Sequence, residues 1–164
     1  MRKQFISLAA LAALLTACGD CTDENKMVSG GFDNFPAPSA SVEGSTPGSA
    51  ADFQKNVKDT VHFGFDRHDL TPEAKTALEQ QAEWLKKWAS QNVLIEGHCD
   101  QRGTVEYNLA LGERRAHAIK HFLMANGIDA SRLETVSYGK ERPIDAGHTE
   151  EAHAKNRRGV SIIR

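Results

Sequence analysis

The run His98-Cys99-Asp100-Gln101-Arg102-Gly103 puts an imidazole, a thiol, a carboxylate and a guanidinium within a few positions, and Arg115 adds a second guanidinium farther along. Three kinds of chemistry use such groups. Metal binding is disfavoured because His98 and Cys99 are adjacent and point to opposite sides of an extended segment. The chain also has neither a Cys-x-x-Cys nor a His-Glu-x-x-His spacing. Nucleophilic catalysis by Cys99 lacks a histidine placed by sequence to act as its base. What remains is charge recognition: a carboxylate suits an ammonium, and a planar guanidinium fork suits a carboxylate. The expectation is a binding module, not an enzyme, with no metal and no cofactor.

Arg115 is the anomaly that sharpens this expectation. On the helix that carries it, Leu111, Ala118, Ile119 and Phe122 form the apolar stripe, and at 100° per residue Arg115 falls in the middle of that stripe. An inward-facing guanidinium needs a partner. Asp100 is the nearest anionic residue placed to reach it, just past the end of a strand. Two arrangements fit: a permanent Asp100 to Arg115 ion pair, or two groups held apart, open to solvent, and spaced to clasp a zwitterion.

The elements that must position these groups are legible as follows. Val61, Phe63 and Phe65 alternate with Thr60, His62 and Gly64, which predicts a half-buried strand. Thr71-Pro72-Glu73 opens a helix with a capping hydroxyl, a proline and an acidic first turn, whose buried face is Ala74, Leu78, Ala82, Leu85 and Ala89. Val93 to Gly97 is a second strand, and Val105 to Ala125 a second long helix stopped by Asn126-Gly127. Arg132 to Tyr138 reads as a third strand, Gly139 to Pro143 as a turn, Thr149 to Asn156 as a short helix, and Gly159 to Ile163 as the last strand. Alternating strands and helices predict an α/β (α+β) domain with helices on a mixed four-stranded sheet. Residues 60–164, about 100 in number, suffice for one core.

The N-terminal third reads differently. Arg2 and Lys3, the uncharged apolar run from Phe5 to Leu15, and the small residues Thr16-Ala17 before Cys18 form a signal peptide over residues 1–17. The run is too short to span a bilayer, which takes about 20 residues. Residues 18–59, rich in Ser, Gly, Ala and Pro, read as a linker whose root-mean-square span is roughly 35 Å if it behaves as a flexible coil. Removing residues 1–17 leaves 18 basic against 22 acidic residues, so nucleic acid is not an expected partner. Cys21 and Cys99 are expected to remain independent thiols.

Leu15-Thr16-Ala17-Cys18 resembles the lipobox of bacterial lipoproteins, which implies a covalent lipid on Cys18. Gly19, not Asp, follows that cysteine, and outer-membrane sorting is the expectation. The run Ile95-Glu96-Gly97-His98-Cys99-Asp100-Gln101-Arg102-Gly103-Thr104, followed by Glu106-Tyr107-Asn108-Leu109-Ala110-Leu111-Gly112-Glu113-Arg114-Arg115-Ala116, resembles the OmpA-like domain family. Within it, the similarity is greatest to the peptidoglycan-associated lipoproteins. Val61 to Asp66, Val136 to Pro143 and Asn156-Arg157-Arg158 continue the match. The resemblance implies noncovalent binding of peptidoglycan through diaminopimelate, with Asp100 and Arg115 as the principal contacts. Phe65, Asp66, Arg102, Asn108 and Arg157 are implied in support, although Phe65 also fits a core position, Asn108 a loop-capping one and Arg157-Arg158 a solvated basic pair. It further implies an outer-membrane tether within the Tol-Pal system, with TolB as partner and a part in cell division. The alternative is an OmpA-like envelope lipoprotein with a separate binding task.

Overall fold

The computed structural model describes residues 46–164. The signal peptide, Cys18, Cys21 and the linker up to residue 45 lie outside the described residues. The last part of the expected linker is folded. Ser49 caps a helix, α1 (Ala50–Asn56), by accepting from the Asp52 amide, while Asp52 accepts from Gly48 N–H and from the indole N–H of Trp84. Phe53, only 1% exposed, meets Trp84 edge-on at 4.9 Å between ring centres. One buried aromatic contact and a carboxylate shared between the helix cap and the Trp84 indole outweigh a composition that looks like tether, so the fold begins before residue 60.

Next come β1 (Thr60–His62), α2 (Pro72–Lys87), β2 (Val93–His98), α3 (Val105–Ala125), β3 (Leu133–Gly139), α4 (Glu150–Asn156) and β4 (Arg158–Ile163). Caps fix the helix starts: the hydroxyls of Thr71, Thr104 and Thr149 each accept an amide proton from the first turn that follows. Gly127, at φ 88°, takes the left-handed conformation that ends α3. Helix α2 stops at Lys87, so Ala89 is exposed, and the buried face includes Ala77, Gln81 and Trp84 besides the expected Ala74, Leu78, Ala82 and Leu85. On α3 the stripe centres on Leu111, Arg115, Ile119 and Leu123, with Ala118 and Phe122 half-buried at its edge.

The sheet order is β1-β4-β2-β3. Strand β4 is antiparallel to both neighbours while β2 and β3 are parallel, so β1, β2 and β3 run one way and β4 the other. The C-terminal ends of three strands and the start of β4 therefore meet at one end of the sheet. Helix α3 lies almost directly on the sheet backbone. A Cβ on Gly97 of β2 would come within 1.9 Å of the Gly112 carbonyl of α3, and one on Gly112 within 2.3 Å of Ser137 Oγ. Side chains on either glycine would lift the helix, and with it Arg115, away from the strand ends. Behind this contact Leu78, Leu85, Ile95, Ile119, Leu123 and Leu133 close the core.

Candidate functional site

All seven residues singled out in the sequence line one cleft of about 190 Å³ at the strand ends: Phe65, Asp66, Asp100, Arg102, Asn108, Arg115 and Arg157. Strand β1 supplies the first two through the segment after it, the β2 to α3 loop the next two, the first three turns of α3 Asn108 and Arg115, and the α4 to β4 junction Arg157. Cys99, Gly103, Tyr107 and Leu111 complete the wall.

Arg115 is neither paired with Asp100 nor open to solvent. It is fully buried, and its donors go to backbone carbonyls: Nε to Arg67 at 2.8 Å, Nη1 to His98 at 2.8 Å and Nη2 to Gly64 at 3.1 Å. Its guanidinium also lies 5.2 Å from the centre of the Phe63 ring. The direct ion pair is thereby corrected, and of the second arrangement the exposure of the guanidinium to solvent. Three carbonyls from two strand ends replace the carboxylate partner, and burial lowers the arginine's pKa from its ordinary value. A guanidinium has five N–H groups, so two remain beyond those given to the carbonyls, and Arg115 is among the residues that line the cleft.

Asp100, 4% exposed, is paired instead with Arg102 Nη2 at 2.5 Å and Arg157 Nη1 at 3.3 Å. Its Oδ1 accepts from the Arg102 amide at 3.1 Å, which tightens the loop. Burial by itself pushes this carboxyl up. The Arg102 side chain, the Arg102 amide and Arg157 outweigh it and hold the group below the usual carboxylate range. Arg157 is no solvated charge: it is buried, with Nε donating to Phe63 O at 3.2 Å and Nη1 2.8 Å from Glu150 Oε1. Arg158 is buried as well, reaching Asn156 O and Arg142 O.

Strand β1 ends at His62, so the predicted alternation breaks after Phe63, and Phe65 is 60% exposed at the cleft mouth instead of buried. The Arg102 guanidinium stacks on its ring, 4.2 Å from the centroid. Asp66 adopts φ 55°, a left-handed conformation sparsely populated by residues with side chains. Its carboxylate accepts a short hydrogen bond from the Tyr107 hydroxyl. Asn108 ties the loop, donating to Arg102 O at 2.7 Å and Thr104 O at 2.9 Å. Cys99 is a free thiol against Asn108 O at 3.3 Å, its pKa raised by burial. Among the described residues no cluster of His, Cys, Asp and Glu could hold a metal ion. Tyr107 and Glu150 are members that sequence reasoning gave no role. Tyr107 stood inside the quoted motif, whereas Glu150, from the start of α4, carried no spacing signal.

A family model described as the OmpA family matches residues 62–157. The chain belongs to the OmpA family. Within it, the chain groups with the peptidoglycan-associated lipoproteins: it is 41% identical over 158 residues to the one of Haemophilus influenzae, covering 96% of this chain and 97% of that protein. The one of Pseudomonas aeruginosa is 43% identical, with 94% and 93% covered. The crystal structure of the peptidoglycan-associated lipoprotein from Burkholderia pseudomallei superposes with a TM-score of 0.64 at 40% identity, covering 65% of this chain and 91% of that one. The C-terminal domain of Helicobacter pylori MotB, 20% identical at a TM-score of 0.61, shares the OmpA-like fold.

Proposed function

We propose that this chain is an outer-membrane lipoprotein, anchored through lipid on Cys18, that grips peptidoglycan without any enzymatic step. The observation that carries the reading is the convergence of Asp100 and Arg115 in one cleft small enough for an amino-acid head group. The diaminopimelate of a stem peptide presents an ammonium and a carboxylate on one carbon. Asp100 takes the ammonium, and the two N–H groups of Arg115 left by its carbonyls take the carboxylate. Each charge-assisted contact contributes about 1.5 to 3 kcal/mol, so the grip is firm and reversible. Phe65 and Asp66 at the mouth flank the rest of the peptide.

The names of the relatives support wall binding. The finer reading, which extends this to the Tol-Pal system, TolB as partner and inward drawing of the outer membrane at division, is part of the proposal. The decisive experiment is sedimentation of the detergent-solubilised full chain with isolated sacculi. Wild type should pellet, Asp100→Asn should stay in the supernatant while still folded by circular dichroism at the assay temperature, its melting point lowered by the lost pairs to Arg102 and Arg157, and free diaminopimelate should release the wild type. Pelleting of Asp100→Asn at wild-type level would move the contact elsewhere. Recovery of TolB from envelope extract separates this reading from an OmpA-like lipoprotein with another task.

A further inference from the structure

The acidic end of the cleft is already occupied by the protein's own donors. Asp100 already faces two guanidiniums and one amide, which take three of about four acceptor positions on a carboxylate. An ammonium has three N–H groups and would find only one acceptor position open on Asp100, beside two cations, so moving one guanidinium aside relieves both the crowding and the repulsion. The two arginines differ in their freedom to move. Arg157 is buried and also bound to Phe63 O and Glu150. Arg102 has 39% of its side chain exposed and lies against Phe65, itself largely exposed, at the mouth. Its second terminal nitrogen, Nη1, is already 3.2 Å from Glu150 Oε2.

We infer that Arg102 is a gate: in the free protein its guanidinium stands where the ligand's ammonium goes, and on binding it swings off Asp100 and stays on Glu150. This inference rests on the zwitterion reading above and deepens it. Glu150 is the acceptor that makes the exchange inexpensive, because Arg102 keeps one ion pair through the move and its ring contact with Phe65 serves as the pivot. A gate of this kind discriminates: an incoming group must carry enough positive charge to replace a guanidinium on Asp100, so neutral and anionic head groups are refused.

The test is calorimetric titration of the full chain in detergent with meso-diaminopimelate. Arg102→Gln removes the competitor and should bind about tenfold tighter, the equivalent of one charged hydrogen bond no longer displaced. Loss of structural support cannot strengthen binding, so the sign alone separates a gate from a scaffold. Glu150→Gln, at an exposed position, should bind about threefold weaker because Arg102 then has Asp100 as its main acceptor, and most of that loss should vanish in the Arg102→Gln background. Weaker or unchanged binding by Arg102→Gln would make Arg102 a ligand contact or a bystander and overturn the gate. If Arg102→Gln melts early, Glu150→Gln alone decides, and unchanged affinity there overturns the gate as well. Failure of wild type to bind the free amino acid at all would instead reject the zwitterion reading on which the gate depends.

Discussion

Arg115→Ala tests whether the arginine is architecture as well as recognition. The substitution removes three hydrogen bonds with a charged donor, at 2.8, 2.8 and 3.1 Å, from carbonyls in two separate segments. At about 1.5 to 3 kcal/mol each, the gross loss is roughly 5 to 9 kcal/mol. Two offsets apply. The fold no longer carries the desolvation cost of a buried cation, several kcal/mol, and water from the cleft reaches some of the orphaned carbonyls. A net loss of about 3 kcal/mol follows, in line with removing one member of a buried charged network. For a domain of this size that lowers the melting temperature by about 12 °C. Thermal unfolding followed by circular dichroism reads this directly. A midpoint within about 2 °C of wild type would refute the account, because the three carbonyls would then have to be solvated already.

Four further outcomes are expected. Gly97→Ala should cost more than about 2 kcal/mol, since its Cβ meets the Gly112 carbonyl and neither backbone can yield; a wild-type denaturant midpoint would contradict this. Phe53→Ala should cost about 3 kcal/mol or more, and a negligible effect would return residues 50–56 to the linker. Burial, with Arg158 nearby, lowers the His98 pKa from 6.5 although Glu96 partly opposes it. Below about pH 6.5 the unfolded chain therefore binds a proton that the folded one refuses, and stability falls with pH until the lower folded value is passed. His62, also lowered by burial, adds to the same slope, and His98→Gln should flatten but not remove it in denaturant titrations across that range. Cys18→Ser should appear in the soluble periplasmic fraction, whereas continued membrane attachment would rule out lipid on that thiol.

The frame was legible because its signals are local. Thr71 marks its helix by type and position, and Gly127 ends the longest one; Thr104 and Thr149 cap theirs in the same way, although only Thr71 was read as a cap. The anomaly of Arg115 was legible for the same reason, since a charge inside an apolar stripe shows in the periodicity alone. Its partners were not. They are main-chain carbonyls of Gly64, Arg67 and His98, which lie 51, 48 and 17 residues away, and no side-chain pattern encodes which carbonyl points where. A core position for Phe65 was left open because the alternation of Val61, Phe63 and Phe65 runs past the strand, which ends at His62. Helix α1 was missed although Ser49 and Asp52 stand in capping-box spacing, because seven residues with one aromatic give too little period to stand out from a Ser- and Ala-rich stretch. Glu150 acts through Arg102 and Arg157, partners brought together by the sheet and not by the chain order.

Two of the three carbonyls that cradle Arg115 belong to the segment directly after β1, and β1 is a three-residue edge strand reached from the N-terminal side through α1. If the domain is loaded by tension between its lipid end and the wall, the pull enters there. A short helix and a few rungs of ladder stand between that force and the floor of the cleft, while α2, α3 and the central strands lie farther along the chain. Overload would then peel β1 from β4, strip Gly64 and Arg67 from the guanidinium, and open the grip while most of the core still stands. Under the proposed anchoring, such an attachment would act as a mechanical fuse that lets go at the wall before the core unfolds.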